Sequence, residues 1–241
     1  MDARDRQKGE RNAQMGDLYP RWVGARELLL HGRNPYGAEV SHEIQIAYYG
    51  HVVTQADDPR RVVDEQRFVY PVYVVFLLAP TIYLDFATVQ FWAPFVLGAF
   101  AVVSVLCSVG ILDWNLSWAT TTALILFTVS TPQIAQGMRH QQLALVVAGL
   151  LTAGAWLVHK GRLGVAGVLL AFSTIKPQMA LLPLIWFILW SAGEWRRRWR
   201  LFAGFGVTIT LLVGAGEVLL PGWLSDFFAG MATRRKIEVA A

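Results

Sequence analysis

From residue 68 onward the chain alternates long apolar runs with short polar breaks, whereas the first 67 residues form a polar segment with no stretch able to span a bilayer. The runs are Phe68 to Leu84, Thr88 to Leu112, Leu116 to Thr131, Gln141 to Val158, Leu163 to Ile175, Met179 to Trp190 and Leu201 to Leu220. Asp85 and Asp113 bracket 27 uncharged positions, and Trp114 to Met138 is a second uncharged stretch. Each can cross a hydrocarbon core of about 30 Å at about 1.5 Å per residue. In lipid a helix satisfies its own backbone groups and an irregular segment does not. The pattern therefore predicts an all-α protein, a polytopic integral membrane helical bundle over 68–220 with six or seven apolar segments. Leu163 to Ile175 and Met179 to Trp190 span only about 20 Å or less as straight helices. They are expected to pack inside the bundle or to form one broken span. Phe68 to Leu84 is read as a re-entrant or partial crossing.

Residues 1–67 carry ten Lys/Arg and eleven Asp/Glu. Residues 1–15 read as a disordered tail, and no signal-peptide pattern is visible, because the charged start is not followed by an apolar core. Residues 16–67 read as an extracytoplasmic loop with interfacial helices. In it Trp22, Ala25, Leu28, Leu29 and Leu30 recur at helical spacing, and Gly32-Arg-Asn-Pro-Tyr36 supplies a stop and a turn. An amphipathic helix on the membrane surface is expected there, with a second over Ser41 to His51. Residues 221–241 read as a C-terminal tail.

Composition agrees: at 55% hydrophobic and 16% charged, the apolar share exceeds what a soluble core would bury. The lone cysteine, Cys107, lies inside an apolar run, so the chain has no intrachain disulfide. The net charge of +4 does not indicate nucleic acid, because much of the excess sits in Glu194-Trp-Arg-Arg-Arg-Trp-Arg200 directly after an apolar run. That is the pattern of a membrane-flanking anchor. The ten tryptophans fit interfacial belts. Placing both His159–Arg162 and Trp195–Arg200 in the cytoplasm puts Lys176 and the Gln133–Gln142 stretch on the opposite side. Treating Leu163 to Trp190 as one kinked span would instead put the two basic clusters on opposite sides.

Three stretches carry candidate chemistry. Lys176 sits between two apolar runs, where a lysine costs about 2.5–3.5 kcal/mol on insertion scales and takes an interior, cavity or interfacial position. Pro177 removes a backbone donor and disfavours helix just before it. With Gln178 beside them, they describe a broken helix end lining a polar cavity; the plainer alternative is a lysine snorkelling to the surface. Gln136, Arg139, His140, Gln141 and Gln142 make a donor-rich loop suited to hydroxyls or phosphate oxygens, or a simple polar connector. Asp17 precedes the first amphipathic helix, either as its cap or as a general base. Phosphate-loop, nucleophile-elbow, zinc-spacing and Asp-x-Asp patterns are missing from the sequence, and no metal or cofactor is expected. A non-catalytic reading, a transporter or assembly subunit, is the rival; a transporter would show inverted repeats, and none is visible.

Asp17, then Ala25-Arg-Glu-Leu-Leu-Leu-His-Gly-Arg-Asn-Pro-Tyr36, Tyr70-Pro71 with Pro80, Gly161-Arg162 with Ala166-Gly167, and Ile175-Lys-Pro-Gln178 resemble, in this order, the α-1,2-mannosyltransferase-like proteins of glycosyltransferase family 87. The resemblance spans roughly residues 16–200. It implies a C-type, multispanning enzyme that takes a hexosyl, here mannosyl, unit from a polyprenyl-phosphate-sugar donor. Transfer would go to a glycolipid or glycan acceptor on the extracytoplasmic face of a prokaryotic plasma membrane, amid membrane lipid and without nucleic acid. It assigns the general base to Asp17 and the carrier phosphate to Lys176, with Gln178, Arg139, His140, Gln136 and Gln141 as donor contacts. The family's Gly-Gln loop is matched loosely, by Gln136-Gly137 or by Gln141. The resemblance also implies helices before Asp17 and after residue 241, so a truncated or reduced member is expected.

Overall fold

The computed structural model describes residues 15–53 and 66–239, with side chains only to Met231 at the C-terminal end. The disorder reading for the first residues, Met15 aside, falls outside the described residues. Every regular element among those described is helical. The chain divides into two compact units, residues 1–89 with 215–241, and residues 90–214.

The first unit is built on α1 (Leu18–His31) and α2 (Ala38–Tyr49). In α1 the helical spacing of Leu18, Trp22, Ala25 and Leu28 makes one buried stripe. That stripe is covered by protein: Trp22 donates from Nε1 to the Thr81 carbonyl at 3.2 Å and packs on Phe86 at 5.3 Å between ring centres. The face expected to lie on lipid is thus a packing face. Gly24 has no side chain because the Phe68 ring occupies that space. Gly32, at φ 66°, ends the helix, and the Arg33 N–H closes back on the Glu27 carbonyl. The Arg33 guanidinium then holds Glu27 at 2.8 Å and Glu43 at 2.6 Å, tying α1 to α2.

Phe68 to Leu84 forms no spanning helix. It contains α3 (Val74–Leu78) followed by a 3₁₀ turn, Ala79–Thr81, with Pro71 just before and Pro80 inside. Eight helical residues advance only about 12 Å, and Val72, Val74 and Val75 are wholly buried within this unit. The tail expected after residue 220 is instead a helix, Trp223–Val239. Trp223 packs edge-on against Tyr73 at 5.8 Å, and Gly216 leaves room for its indole. Burial of that one large ring explains why the segment orders despite its polar end.

The second unit contains most of α4 (Phe86–Ile111), then α5 (Trp118–Val129), α6 (Pro132–Arg139), α7 (Ala144–His159), α8 (Leu163–Ser173), α9 (Pro177–Gly193) and the greater part of α10 (Trp195–Leu219); the C-terminal helix of the first unit is α11. Among the described residues, only α4 and α10 are long and apolar enough to cross a membrane by themselves, with mean hydropathies of 2.3 and 1.7. Just 17% of each apolar window is buried, unlike the core helix of a soluble protein. Phe91, Trp92, Phe95, Phe127 and Leu182 are likewise exposed. Leaving each in water would forfeit about 1.5–3 kcal/mol; in lipid that loss disappears, which marks a membrane protein.

The short apolar segments are two separate helices running in opposite directions. Gly164 and Gly167 on α8 meet the backbone of α10 at Arg200, Leu201 and Gly204; a methyl on Gly167 would stand 2.6 Å from the Phe205 nitrogen. A side chain on Gly204 would overlap the Gly164 carbonyl. This contact puts the start of α8 next to the start of α10, so α9 must run back between them. The kinked-span alternative is excluded, and the His159–Arg162 and Trp195–Arg200 clusters share one end of the unit. At that end Asp113, at the close of α4, meets His159 at 3.2 Å and Lys160 at 3.6 Å. Ala166, Leu170, Ala180, Leu184, Phe187 and Leu201 form the core between α8, α9 and α10.

The backbone contact predicts sharp position dependence. Gly204→Val should destabilise the purified protein by about 1–3 kcal/mol through overpacking. Gly206→Ala, in open space on the same helix, should be neutral or stabilise by up to about 1 kcal/mol. Thermal unfolding of both variants in one detergent measures the difference.

Candidate functional site

Asp17 stands at the N-terminal edge of α1, half-buried. Its backbone is already helical (φ −62°, ψ −15°) and its side chain makes no capping hydrogen bond. Capping therefore does not account for this carboxylate. Elsewhere the chain caps ordinarily: Ser117 accepts from the Thr120 N–H, and Asp85 accepts from the Thr88 N–H, each at 3.1 Å. The Asp17 loop is anchored by its carbonyls. The Tyr48 hydroxyl donates to the Gly16 carbonyl, and Arg21 Nη1 donates to the Asp17 carbonyl at 2.6 Å. The Arg21 guanidinium lies 4.7 Å above the centre of the Tyr70 ring.

Two further tyrosines, Tyr36 and Tyr19, belong to this region. Tyr36 gives its hydroxyl proton to the Tyr70 carbonyl at 2.6 Å and packs edge-on against Phe68. Burial, reinforced by Asp226 and Tyr73, pushes its pKa far above the ordinary phenol value. Burial and then Glu43 raise Tyr19 as well. Asn34 stitches the turn, accepting from the Tyr36 N–H at 2.9 Å and donating to Asp226 at 2.8 Å.

The other six predicted residues belong to the second unit. Lys176 occupies the position before α9, at φ −128°, ψ 81°, and its carbonyl accepts the N–H of Met179 at 3.0 Å. Pro177 takes the first helical position, where its missing donor is harmless. The reversal of direction at Thr174–Lys176 is relieved by hydroxyls: Ser173 and Thr174 each donate to a carbonyl three residues back at 2.6 Å. A cation at a helix N-terminus has the wrong sign for the helix dipole, so the lysine and the helix end both favour an anion there. Gln178 is exposed in the first turn.

The Gln133–Gln142 stretch is not a loop; it is α6, started by Pro132, with Gln136 and Arg139 on it, and His140 just after, exposed. Gln141 is the exception. It closes the helix in the left-handed region at φ 53°, where glycine is usual. Its N–H reaches Met138 and the next N–H reaches Gly137, the double bond of a Schellman end. Its side chain is 4% exposed, yet among the described residues its Oε1 has no hydrogen-bond partner. The left-handed backbone and the buried amide oxygen each carry an energetic penalty at this one residue.

Helix directions bring these residues to one end of the second unit. α7 begins just after Gln142 and ends at His159, and α8 packs antiparallel to it, with Leu170 beside Gly154. Lys176, beyond the far end of α8, therefore lies at the α6–α7 end, away from the two basic clusters. Asp17 is carried by the first unit. Arg21, which the sequence leaves unassigned, stands one helical turn after Asp17.

The family model of glycosyltransferase family 87 matches residues 68–240 of this chain. Asp17 and the Leu30–Tyr36 motif precede that span. No curated protein and no solved structure matches.

Tyr36 supplies a pH prediction. A phenol whose folded pKa is raised contributes stability in full below its unfolded value of about 10, and loses it as pH rises beyond. Tyr36→Phe should lower stability by about 1 kcal/mol at neutral pH and flatten the alkaline limb of unfolding, read by circular dichroism across pH.

Proposed function

Since the chain belongs to glycosyltransferase family 87, we propose that it is a polytopic membrane enzyme that moves a mannosyl unit. The donor is a polyprenyl-phosphate sugar, and the acceptor is a glycolipid or glycan on the extracytoplasmic face of the membrane. The family match carries the reading. Support comes from the lipid-suited surfaces of α4 and α10 and from a lysine at the N-terminus of α9, where an anion is favoured twice over.

In the proposed reaction the acceptor hydroxyl attacks the anomeric carbon opposite the phosphate. Its proton passes to the Asp17 carboxylate, the new glycosidic bond forms, and the carbon–oxygen bond to phosphate breaks. Polyprenyl phosphate leaves with one more negative charge, and the sugar's configuration inverts. Lys176 stabilises the charge that grows on the leaving group, with Arg139, His140 and Gln178 as further donors. Gln136 and Gln141 contact sugar hydroxyls, for which an unpartnered buried amide oxygen is an acceptor.

Asp17→Asn should cut sugar transfer by about 10²–10⁴-fold with folding intact, measured with a radiolabelled polyprenyl-phosphate sugar in membranes. Lys176→Ala should weaken donor binding more than it lowers thermal stability. Wild-type transfer by Asp17→Asn would refute the assignment. Gln141→Gly should relieve about 1–2 kcal/mol of backbone strain while lowering transfer, so that stability and activity move in opposite directions.

A further inference from the structure

The guanidinium of Arg21 is half-buried, and it is held in place without being neutralised. Its underside rests on the Tyr70 ring. One Nη1 hydrogen goes to the Asp17 carbonyl. Nε is sealed from water and has no partner among the described residues. A guanidinium has five N–H donors in a planar fork, and among the described residues the Asp17 carbonyl is the one acceptor it reaches. No carboxylate lies within ion-pair distance of it among those residues. Arg33, Arg197 and Arg198, by contrast, all pair with glutamates. A surface arginine in water needs no acceptor. One clamped against a ring with a dry nitrogen has given up hydration and received a ring face and one carbonyl in return.

We propose that Arg21 is a phosphate-binding residue beside Asp17, its open edge taking two oxygens of a phosphate ester borne by a lipid. Planar, two-point recognition of an oxyanion is what a fixed guanidinium does best and what lysine does not reproduce. The same chemistry is offered by the phosphate of a polyprenyl carrier and by the headgroup of an anionic phospholipid acceptor. Tyr70 is the positioning residue, since it sets the plane of the fork. The assignment rests on the proposed function for its choice of lipid phosphates, and on the Arg21 geometry alone for the claim that an oxyanion binds there.

The test uses the full chain in nanodiscs of zwitterionic lipid, with equilibrium binding of polyprenyl monophosphate and, separately, of phosphatidylglycerol. Arg21→Gln should weaken one of them roughly tenfold or more. Arg21→Lys should recover only part of the loss. Tyr70→Phe, which keeps the ring, should bind as wild type, whereas Tyr70→Leu, which also gives up some thermal stability because Tyr70 is buried, should bind weakly even at temperatures where it remains folded. Loss confined to polyprenyl phosphate identifies the carrier as the source, and loss confined to phosphatidylglycerol identifies an acceptor headgroup; either supports the site. Wild-type affinity of Arg21→Gln for both probes overturns it, and so does full recovery by Arg21→Lys. Should Arg21→Gln fail to fold, the Arg21→Lys and Tyr70→Leu arms decide. Asp17→Asn should bind phosphate as wild type while losing transfer. Arg21-dependent binding without any sugar transfer would thus sink the enzymatic reading alone, and transfer with Arg21-independent binding would sink this one alone.

Discussion

Three glycines set the second unit. Gly164, Gly167 and Gly204 let α8 and α10 meet backbone to backbone. In a lipid environment helices gain little from burying apolar side chains against each other, so close approach through small residues is a principal source of attraction. The contact has a topological result beyond its energy. With the starts of α8 and α10 adjacent, α9 must reverse, both basic clusters fall at one end, and Lys176 falls at the other. The core of Ala166, Leu170, Ala180, Leu184, Phe187 and Leu201 fills behind that crossing.

Polar groups in this chain concentrate where helices begin or end. Some are ordinary: Ser117 and Asp85 cap their helices, and the lowered pKa of Asp85 follows from the hydrogen bonds it receives from Thr88. Others stand at equivalent places without that role. Asp17 does not cap α1, Lys176 opposes the dipole of α9, and Gln141 takes a glycine's conformation while its amide oxygen goes unpartnered. Each is a local departure from what best stabilises a helix end. Departures of this kind are expected where binding, not folding, selects the residue.

Much of the architecture was legible because membrane-depth chemistry is one-dimensional. The apolar runs Thr88 to Leu112 and Leu116 to Thr131 announce helices, since lipid tolerates little else, and helices stand at Phe86–Ile111 and Trp118–Val129. Pro177 announces a helix boundary, and it stands at the first helical position of α9. The Gln133–Gln142 stretch misled because its polarity reads as a loop, whereas a helix of eight residues with an exposed polar face needs only one buried side, here Gly137 against Leu145. The segment after residue 220 misled for the opposite reason: its order comes from Trp223 meeting Tyr73, residues far apart in the chain.

Composition and periodicity by themselves determined that the chain is helical, apolar enough for a membrane, and marked at Asp17, Lys176 and the glutamine-rich stretch. Those properties follow from neighbours within a turn or two and from the solvent each residue tolerates. Tertiary structure decided which helix ends share a side, that Gln141 is buried and unpartnered, and that Arg21 is clamped on Tyr70 next to Asp17. These depend on contacts between residues distant in sequence, which are set by how backbones and rings fit together, and a one-dimensional pattern of polarity does not encode that fit.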